Sequence, residues 1–533
     1  MNIAQFSPGI TFEVQQQIDK DRQERKERLD QQLSALIEDI WQRSEQEEEA
    51  DFAAFERNLW EKLMSVGLAA CELFLANKRK PPEKSKIQDG EGKTYKYTKE
   101  KSYPLRSIFG EGRYISSQYL RGNPPYKAQK EIVLLDGQVG LFPAGGLSPN
   151  IVLQVAELST RMPYEQVREV LGRFYAYVPS KRSICGLIDL LGPHAAVELE
   201  HLECQPGEVV VIQVDGRGLP HIRDEEMEKR CRPHQKHPES QGRRRRPKRQ
   251  ADPRRTKGKK AKKKKQVTVG LIYTLKRLED ESLEGPVSKL YVARFGNAEA
   301  VFQWLNQAVE QMGSEFEKIV FISDGAPQYT NLRKKYFPKA IAVIDFYHVC
   351  EYLWKAGETL YQEGSKELVA FVKKLKDLLF EEKGKKVVEI LRKKEKELPV
   401  RGPGSKGKRE RMKEAIRYIV NRLELMPYKS LWEQGIEIGS GAIESAVRQV
   451  VALRFDGPGM RWGKERPQML LDLLCLRLSS GWKQLEHRMG WWTHQHHQRG
   501  RITPVGVNEK KTSRKPASHS KPLKEKENLA AAA

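Results

Sequence analysis

Cysteine is scarce in this chain, and long apolar runs are absent. Its 533 residues include only six cysteines, at positions 71, 185, 204, 231, 350 and 475, with no Cys-x-x-Cys pair. That excludes a disulfide-framed scaffold and points to a reducing compartment. No stretch approaches the roughly 18 to 20 consecutive apolar residues of a membrane-spanning helix. The opening residues Met1 to Phe6 lack both the basic start and the apolar segment of a secretory leader. A soluble cytoplasmic protein with no membrane partner is the expectation. Acidic charge is also in deficit: 71 Asp and Glu face 95 Lys and Arg, a formal net charge of +24.

The basic excess is concentrated. Between Arg243 and Lys265 stand fifteen Lys and Arg against a single acid, Asp252. The block opens with Arg243, Arg244, Arg245, Arg246, Pro247, Lys248 and Arg249 and closes with Lys262, Lys263, Lys264 and Lys265. Such a segment cannot bury its charge and is expected as a solvated arm. Lying between two apolar runs expected as core strands, it is read as a nucleic-acid contact, because each phosphate it neutralises releases counterions without reading sequence. A nuclear-import signal and a solubilising run are its rivals. Cys231, His234 and His237 precede it, with His221 as a fourth candidate; they form either a zinc site or part of a charged loop. His494, His496 and His497 read as a solvated polar cluster.

Three acidic residues in separate pieces of the chain carry the chemistry. Asp215 closes the apolar run Val209 to Val214, and Asp324 closes Ile319 to Ser323; both runs read as buried strands. A carboxylate at a strand end emerges where ligands bind an open sheet. Glu444 lies in Gly439-Ser440-Gly441-Ala442-Ile443-Glu444-Ser445, a turn entering a helix that Ser440 is placed to cap. Mg²⁺ takes hard oxygen ligands and keeps several waters, so two or three carboxylates suffice without a His or Cys cage. Two such ions about 4 Å apart serve phosphodiester chemistry. An Asp-Gly pair alone is also an ordinary turn.

With 38% hydrophobic residues, three or four folded domains are expected. Residues 1–90 read as a helical region whose stripes are Leu29, Leu33, Leu36 and Ile40, then Phe55, Leu59, Leu63, Cys71 and Phe74. Residues 91–147 read as a small β-rich module with Tyr95, Tyr97, Tyr103, Tyr114 and Tyr119 among basic residues. Packing in a half-buried sheet and stacking on nucleic acid both fit that texture, the former better. Residues 148–200 hold three helical segments. They read as a helix-turn-helix whose last helix opens with Ser180, Lys181 and Arg182, candidate DNA contacts. From 205 to 345 the order is βββαβαβ, with the basic insert 243–265 inside it, and this is a ribonuclease-H-like layout. Residues 346–435 are a helical insertion, 436–492 return to the core with Glu444, and 498–533 are expected to be a disordered basic tail.

Together these residues resemble the Mutator-like superfamily of DDE transposases, and most closely its Kra group of bacterial insertion-sequence transposases. The resemblance runs from about Leu141 to Glu486. It is carried by Val214-Asp215-Gly216-Arg217-Gly218, Ser323-Asp324-Gly325-Ala326 and Asp345-Phe346-Tyr347-His348-Val349. Above all it rests on Ile438 to Gln449 with Leu453-Arg454 and Gly457-Pro458-Gly459-Met460-Arg461-Trp462. It implies a multidomain α/β protein with a ribonuclease-H-like core and an all-helical insertion. Asp215, Asp324 and Glu444 would be the Mg²⁺ ligands, with Mn²⁺ able to substitute, and the activity would be cleavage and joining of transposon ends. Double-stranded DNA, both the element's ends and its target, is the implied partner, bound at the bacterial nucleoid by a homodimer or higher oligomer. The family's Asp-x-x-His signature falls on Asp345 and His348, placing His348 near the active site. There it either positions DNA or a carboxylate or makes a structural hydrogen bond. Arg448, one turn beyond Glu444, is read as steadying a phosphate or as an i,i+4 partner of that Glu. Relatives often carry paired cysteines in the β-rich module; residues 94–142 here have none. Two rival functions stand: a ribonuclease-H-like nuclease that cuts without joining, and an inactive transposase-derived protein that only binds DNA.

Overall fold

The computed structural model of the chain describes residues 8–45, 51–82, 84–88, 92–121, 130–142, 146–222, 226, 264–313, 316–498 and 501–502. They form a mixed α/β structure with two five-stranded sheets. The central sheet is built from β5 (Val209–Pro220), β6 (Lys264–Arg277), β7 (Leu283–Phe295), β8 (Lys318–Ser323) and β9 (Ile341–Ile344), in the order β7-β6-β5-β8-β9. β5, β6 and β7 are an antiparallel meander; β8 runs parallel to β5 and β9 parallel to β8. Val209, Val210, Val211 and Ile212 are each fully buried. A strand covered on both faces needs such a continuous apolar run rather than alternation. Asp215 does not end its strand as expected: β5 continues to Pro220, paired with β6 throughout. The parallel partner is what stops there, since the β5–β8 register runs only to Val214 opposite Ser323.

Helices clothe this sheet. The earlier ones are α4 (Pro149–Arg161), α5 (Tyr164–Phe174), α6 (Lys181–Glu200), α7 (Ala298–Gln311) and α8 (Pro327–Tyr336). A largely helical stretch follows β9: α9 (Phe346–Gly357), α10 (Lys366–Phe380), α11 (Gly384–Glu397), α12 (Ser405–Val420) and α13 (Tyr428–Trp432). The chain then returns through α14 (Gly441–Val447), a π-helical segment Arg448–Ala452, α15 (Leu453–Phe455), α16 (Arg466–Leu478) and α17 (Trp482–Gln498). α16 packs between α6 and β7. Ile184, Leu187, Ile188 and Leu191 of α6 therefore sit in the same hydrophobic core as the sheet.

The second sheet has the order β1-β2-β3-β4-β10, from β1 (Lys86–Gln88), β2 (Thr94–Ser107), β3 (Gly110–Arg121), β4 (Lys130–Val133) and β10 (Arg501–Ile502). It is followed by the short α3 (Leu134–Val139) and preceded by the hairpin of α1 (Pro8–Ser44) and α2 (Phe52–Lys78). Tyr95, Tyr103, Tyr114 and Tyr119 are buried. They are packing residues here, not stacking platforms.

Two expectations differ from what is found. The apolar stripes of the first helices do not form a core: Leu36 is buried, yet Leu33, Ile40, Leu63 and Phe74 are exposed. Two helices lying against each other cover only one strip of each. Val14, Ile18 and Ala69 are buried there, beside a buried Glu72 that pairs with Arg25 at 3.1 Å and Arg28 at 3.0 Å, while Leu75 packs into the second sheet's cluster with Tyr103, Leu105 and Tyr114. The segment from 498 onward is not wholly unstructured, because Arg501–Ile502 pairs antiparallel with β4.

Candidate active site

Strand register places the two aspartates. Val214 pairs with Ser323, so Asp215, still within β5, and Asp324, just past the end of β8, stand at the same level on neighbouring strands. The glycines after them serve different needs. Gly216 lies within β5, and a Cβ there would meet the Tyr329 hydroxyl at 2.3 Å. Gly325 has φ of +75°, the left-handed region that favours glycine, where the chain turns out of β8. One oxygen of each carboxylate is engaged locally: Asp215 Oδ1 accepts from Gly216 N at 2.6 Å and Asp324 Oδ1 from Ala326 N at 2.8 Å.

Glu444 stands on a helix anchored to the same strand as Asp215. Gln213, fully buried, lies two residues before Asp215 and thus on the same face of β5. Its Oε1 accepts from Ile443 N at 3.0 Å, pinning the first turn of α14 to the strand. Its Nε2 donates to Tyr273 Oη at 3.3 Å, and that hydroxyl donates to Glu437 Oε2 at 3.0 Å. A second anchor is Asp345, only 3% exposed. Its carboxylate accepts from Tyr347 N at 3.1 Å, His348 N at 3.2 Å, Ser440 N at 3.0 Å and Ser440 Oγ at 2.7 Å. It thereby caps α9 and ties the end of β9 to the start of α14.

Ser440 does not cap α14 with its side chain, as its position would allow. Its hydroxyl instead lies between two carboxylates, 2.7 Å from Asp345 Oδ2 and 2.8 Å from Glu444 Oε1. Glu444 is exposed and held by this serine. Arg448 is also exposed, and among the described residues it makes no ion pair with Glu444. The i,i+4 pairing is thus replaced by the Ser440 contact.

Electrostatics shows the acids acting on one another. Burial first, then the charges of Asp324 and Glu444, raise Asp215 above the usual carboxylate range; the Gly216 amide and His348 pull it back. Asp215, Asp324, Glu444 and His348 therefore share one neighbourhood. Burial, followed by the charges of Asp215 and Asp324, pushes the Tyr329 phenol up to about 12, against hydrogen bonds that lower it. Tyr329 thus stays a neutral hydroxyl beside the acidic pair. His348 packs edge-on to Tyr352 and Tyr418, with Nδ1 3.8 Å from Glu351 Oε2.

The helical stretch buttresses the second aspartate. Tyr418 of α12 donates to Asp324 O at 2.9 Å and stacks on Tyr352 at 3.8 Å. Arg422 lies 4.0 Å over the Tyr418 ring and donates to Gly325 O at 3.0 Å. Gln213, Tyr329, Tyr418 and Arg422 were not among the residues the sequence singles out. A glutamine inside an otherwise apolar strand run is the one signal that was available.

Among the described residues no three His, Cys, Asp or Glu side chains stand close enough to share one metal ion. The donor chemistry nevertheless fits Mg²⁺, which is typically bound through one or two carboxylates with waters and substrate phosphates completing its octahedron. Asp215 and Asp324 supply such a pair, each with one oxygen free of the local backbone bond described above.

The other predicted contacts are placed as follows. Ser180 caps α6, accepting from Ser183 N at 3.1 Å; Lys181 pairs with Glu165 of α5, and Arg182 is exposed. Lys264 and Lys265 begin β6 opposite Pro220 and Leu219, and the Lys265 ammonium sits 4.7 Å over the Phe295 ring. Arg243, Arg244, Arg245, Arg246, Lys248, Arg249, Lys262 and Lys263 lie outside the described residues, as do Cys231, His234 and His237. No described helix is long and apolar enough to cross a membrane.

Residues 234–414 match a family model described as a transposase, of the ISL3 DDE type. The match covers about a third of the chain and contains Asp324, while Asp215 and Glu444 fall outside it. It supports an insertion-sequence transposase, an enzyme class whose substrate is DNA. No curated protein matches the chain.

Proposed function

We propose that this chain is a DDE transposase that binds the ends of an insertion sequence and carries out metal-dependent DNA strand cleavage and strand transfer. The observation that carries the reading is the register of β5 and β8. It supports a pairing of Asp215 with Asp324, and the helix that carries Glu444 is anchored to the same strand, in a chain similar to a transposase. The strand order β7-β6-β5-β8-β9, a meander followed by two parallel additions, supports a ribonuclease-H-like core with the helices after β9 as its insertion. The motif block from Ile438 to Trp462 favours the Mutator-like superfamily and its Kra group.

Asp215 and Asp324 would hold divalent cations, with Glu444 as the third ligand. When bound, Mg²⁺ or Mn²⁺ supplies polarisation of the scissile phosphate and an activated attacking oxygen. The protein's own part is positioning. Asp345 and Gln213 hold α14 against the strand so that Glu444 faces the aspartates. Tyr418 and Arg422 hold the Asp324–Gly325 turn, and Tyr329 keeps a neutral hydroxyl beside the acidic pair. Arg448, exposed one turn past Glu444, steadies a phosphate, and His348 is placed to orient DNA or a carboxylate. The exposed start of α6 at Ser180, Lys181 and Arg182, as the last helix of a helix-turn-helix, and the basic segment 243–265 serve double-stranded DNA. The enzyme acts in the bacterial cytoplasm as a dimer or larger assembly, because two ends must be joined.

The test is cleavage and joining of DNA carrying the element's own ends, with Mg²⁺ or Mn²⁺. The wild type should nick and transfer, while Asp215→Asn, Asp324→Asn and Glu444→Gln should lose both steps and still bind DNA. Nicking without transfer would instead assign a nuclease. Binding without either step in the wild type would assign an inactive, DNA-binding descendant.

A further inference from the structure

A cavity of about 480 Å³ lies away from the acidic residues, between the start of α5 and the loop after α15. Three guanidinium groups line it: Arg454, Arg461 and Arg466. Two are neutralised. Arg466 makes a bidentate pair with Asp189, Nε to Oδ1 at 2.7 Å and Nη2 to Oδ2 at 2.6 Å, and Arg461 Nη1 lies 3.0 Å from Glu226 Oε1. Arg454 is the most deeply placed, 2% exposed, and no carboxylate pairs with it among the described residues. Its Nε donates to Ser159 O at 2.6 Å, and its guanidinium lies 5.0 Å from the Tyr164 ring and 5.2 Å from the Trp462 ring.

A buried cation without a counter-charge is costly, and aromatic faces return only part of that cost. Burial accordingly pulls the Arg454 pKa down. Among the described residues the cavity wall thus carries one positive charge that no carboxylate answers. A guanidinium flanked by aromatic rings is suited to a phosphate oxygen pair. The cavity also sits beside the strand that carries Asp215. Trp462 N donates to Pro220 O at 3.1 Å, and Ile222 N donates to Trp462 O at 2.9 Å. Pro220 lies five residues beyond Asp215 on β5, roughly 16 Å along the strand. The connection that contains the fifteen Lys and Arg of 243–265 follows Ile222, itself a cavity-lining residue.

We propose that this cavity binds one phosphodiester group of a DNA strand, with the Arg454 guanidinium as its anion contact and the Tyr164 and Trp462 rings as its walls. The proposal rests on the reading of the chain as a DNA-processing enzyme. It adds a fixed backbone clamp several nucleotides from the strand-cutting residues, at the joint between α4–α5 and the core.

The test is equilibrium binding of a fluorescein-labelled duplex to the full chain in EDTA over a range of salt, with melting curves as the control for folding. Arg454→Met keeps the apolar body and removes the charge. Met460→Glu approaches from the other side by placing a carboxylate in the cavity to occupy Arg454. Both variants should melt at or above the wild-type temperature, because each relieves the unanswered charge. Both should bind the duplex about 10-fold more weakly or worse, and the slope of log affinity against log salt should become shallower by about 0.9. If both variants fold and keep wild-type affinity and slope, Arg454 is a structural cation and the proposal is wrong. If inorganic phosphate at constant ionic strength raises the wild-type melting temperature while the duplex slope is unchanged in the variants, the cavity takes a free phosphate, which also overturns it. A failure of either Arg454→Met or Met460→Glu to fold leaves the other to decide. Because cleavage is not read, failure here leaves the catalytic reading standing. Equally, an inactive Asp215→Asn that binds normally leaves the clamp standing.

Discussion

Removing the Asp345 carboxylate should loosen the candidate site at three nameable amides. Asp345→Ala deletes the acceptor for Tyr347 N, His348 N, Ser440 N and Ser440 Oγ, four bonds at 2.7 to 3.2 Å around a side chain that is 3% exposed. A hydrogen bond to a charged group is worth about 1.5–3 kcal/mol, and a buried donor left without a partner costs about 1–3 kcal/mol. Water entering the vacated space offsets part of this, so a total of about 3–5 kcal/mol is expected, at the upper end for single substitutions. Locally, each amide should exchange its hydrogen about 10- to 100-fold faster, the factor that corresponds to one lost charge-assisted bond. Hydrogen–deuterium exchange over peptides containing 345–349 and 438–444 reads this directly. Ser440→Ala is the graded control. It removes the hydroxyl contacts to Asp345 and Glu444 but keeps the Ser440 amide bond, so protection at 440 should largely survive. DNA cleavage should fall about 100-fold in Asp345→Ala, the scale associated with misplacing a catalytic group by about 1 Å. Unchanged exchange at 347, 348 and 440 in Asp345→Ala would refute the idea that this carboxylate fastens α14 to the sheet.

Three further outcomes follow from other parts of the molecule. Gln213→Leu fills the same buried space but leaves Ile443 N without its acceptor and Tyr273 Oη with Glu437 alone. It should cost about 1–3 kcal/mol and lower the cleavage rate at saturating DNA while leaving DNA affinity within a few-fold of wild type; a rate equal to wild type would deny Gln213 its positioning role. Burial pushes Asp472 up to about 6, against Arg294 and Gln468, which lower it. Its folded pKa therefore lies above the unfolded value, so its contribution to stability is complete below about pH 4 and is lost as pH rises towards 6. Relative to Asp472→Asn, the wild type should lose about 2–3 kcal/mol across that window, measured as the pH dependence of the melting temperature; parallel curves would contradict it. Deleting residues 243–265 should make the salt dependence of duplex binding shallower by several units if the basic segment contacts phosphates, and an unchanged slope would give that segment another task.

Much of the central sheet is legible in the sequence for a simple reason. Val209 to Ile212 and Ile319 to Ile322 are apolar runs too short for core helices and rich in β-branched residues, and in the structure they lie in β5 and β8. What the sequence hides is the polar scaffolding. Gln213 interrupts its run without announcing a partner 230 positions away, and the Asp-x-x-His signature that marks Asp345 says nothing of the four donors it accepts from. Arg454 enters the sequence reading only as part of the Leu453-Arg454 pair, which gives no sign that it is buried against Ser159, 295 positions earlier. The helical hairpin misleads in the opposite sense. Leu33, Ile40 and Leu63 have helical spacing, but a pair of helices offers too little surface to cover them, and a buried Glu72 with two arginines takes the central place. Periodicity reports which residues share a face; it does not report whether anything lies against that face.

The central claim is that Asp215 and Asp324, with Glu444 opposite, form a divalent-cation site. An anomalous-difference map from crystals grown with Mn²⁺ and a duplex carrying the element's ends tests it most directly. A peak about 2.0–2.3 Å from carboxylate oxygens of both aspartates, the range for hard oxygen ligands, with Glu444 swung away from Ser440 towards it, is the predicted result. A map with no anomalous density between Asp215 and Asp324, from crystals in which the DNA is bound, would contradict the account.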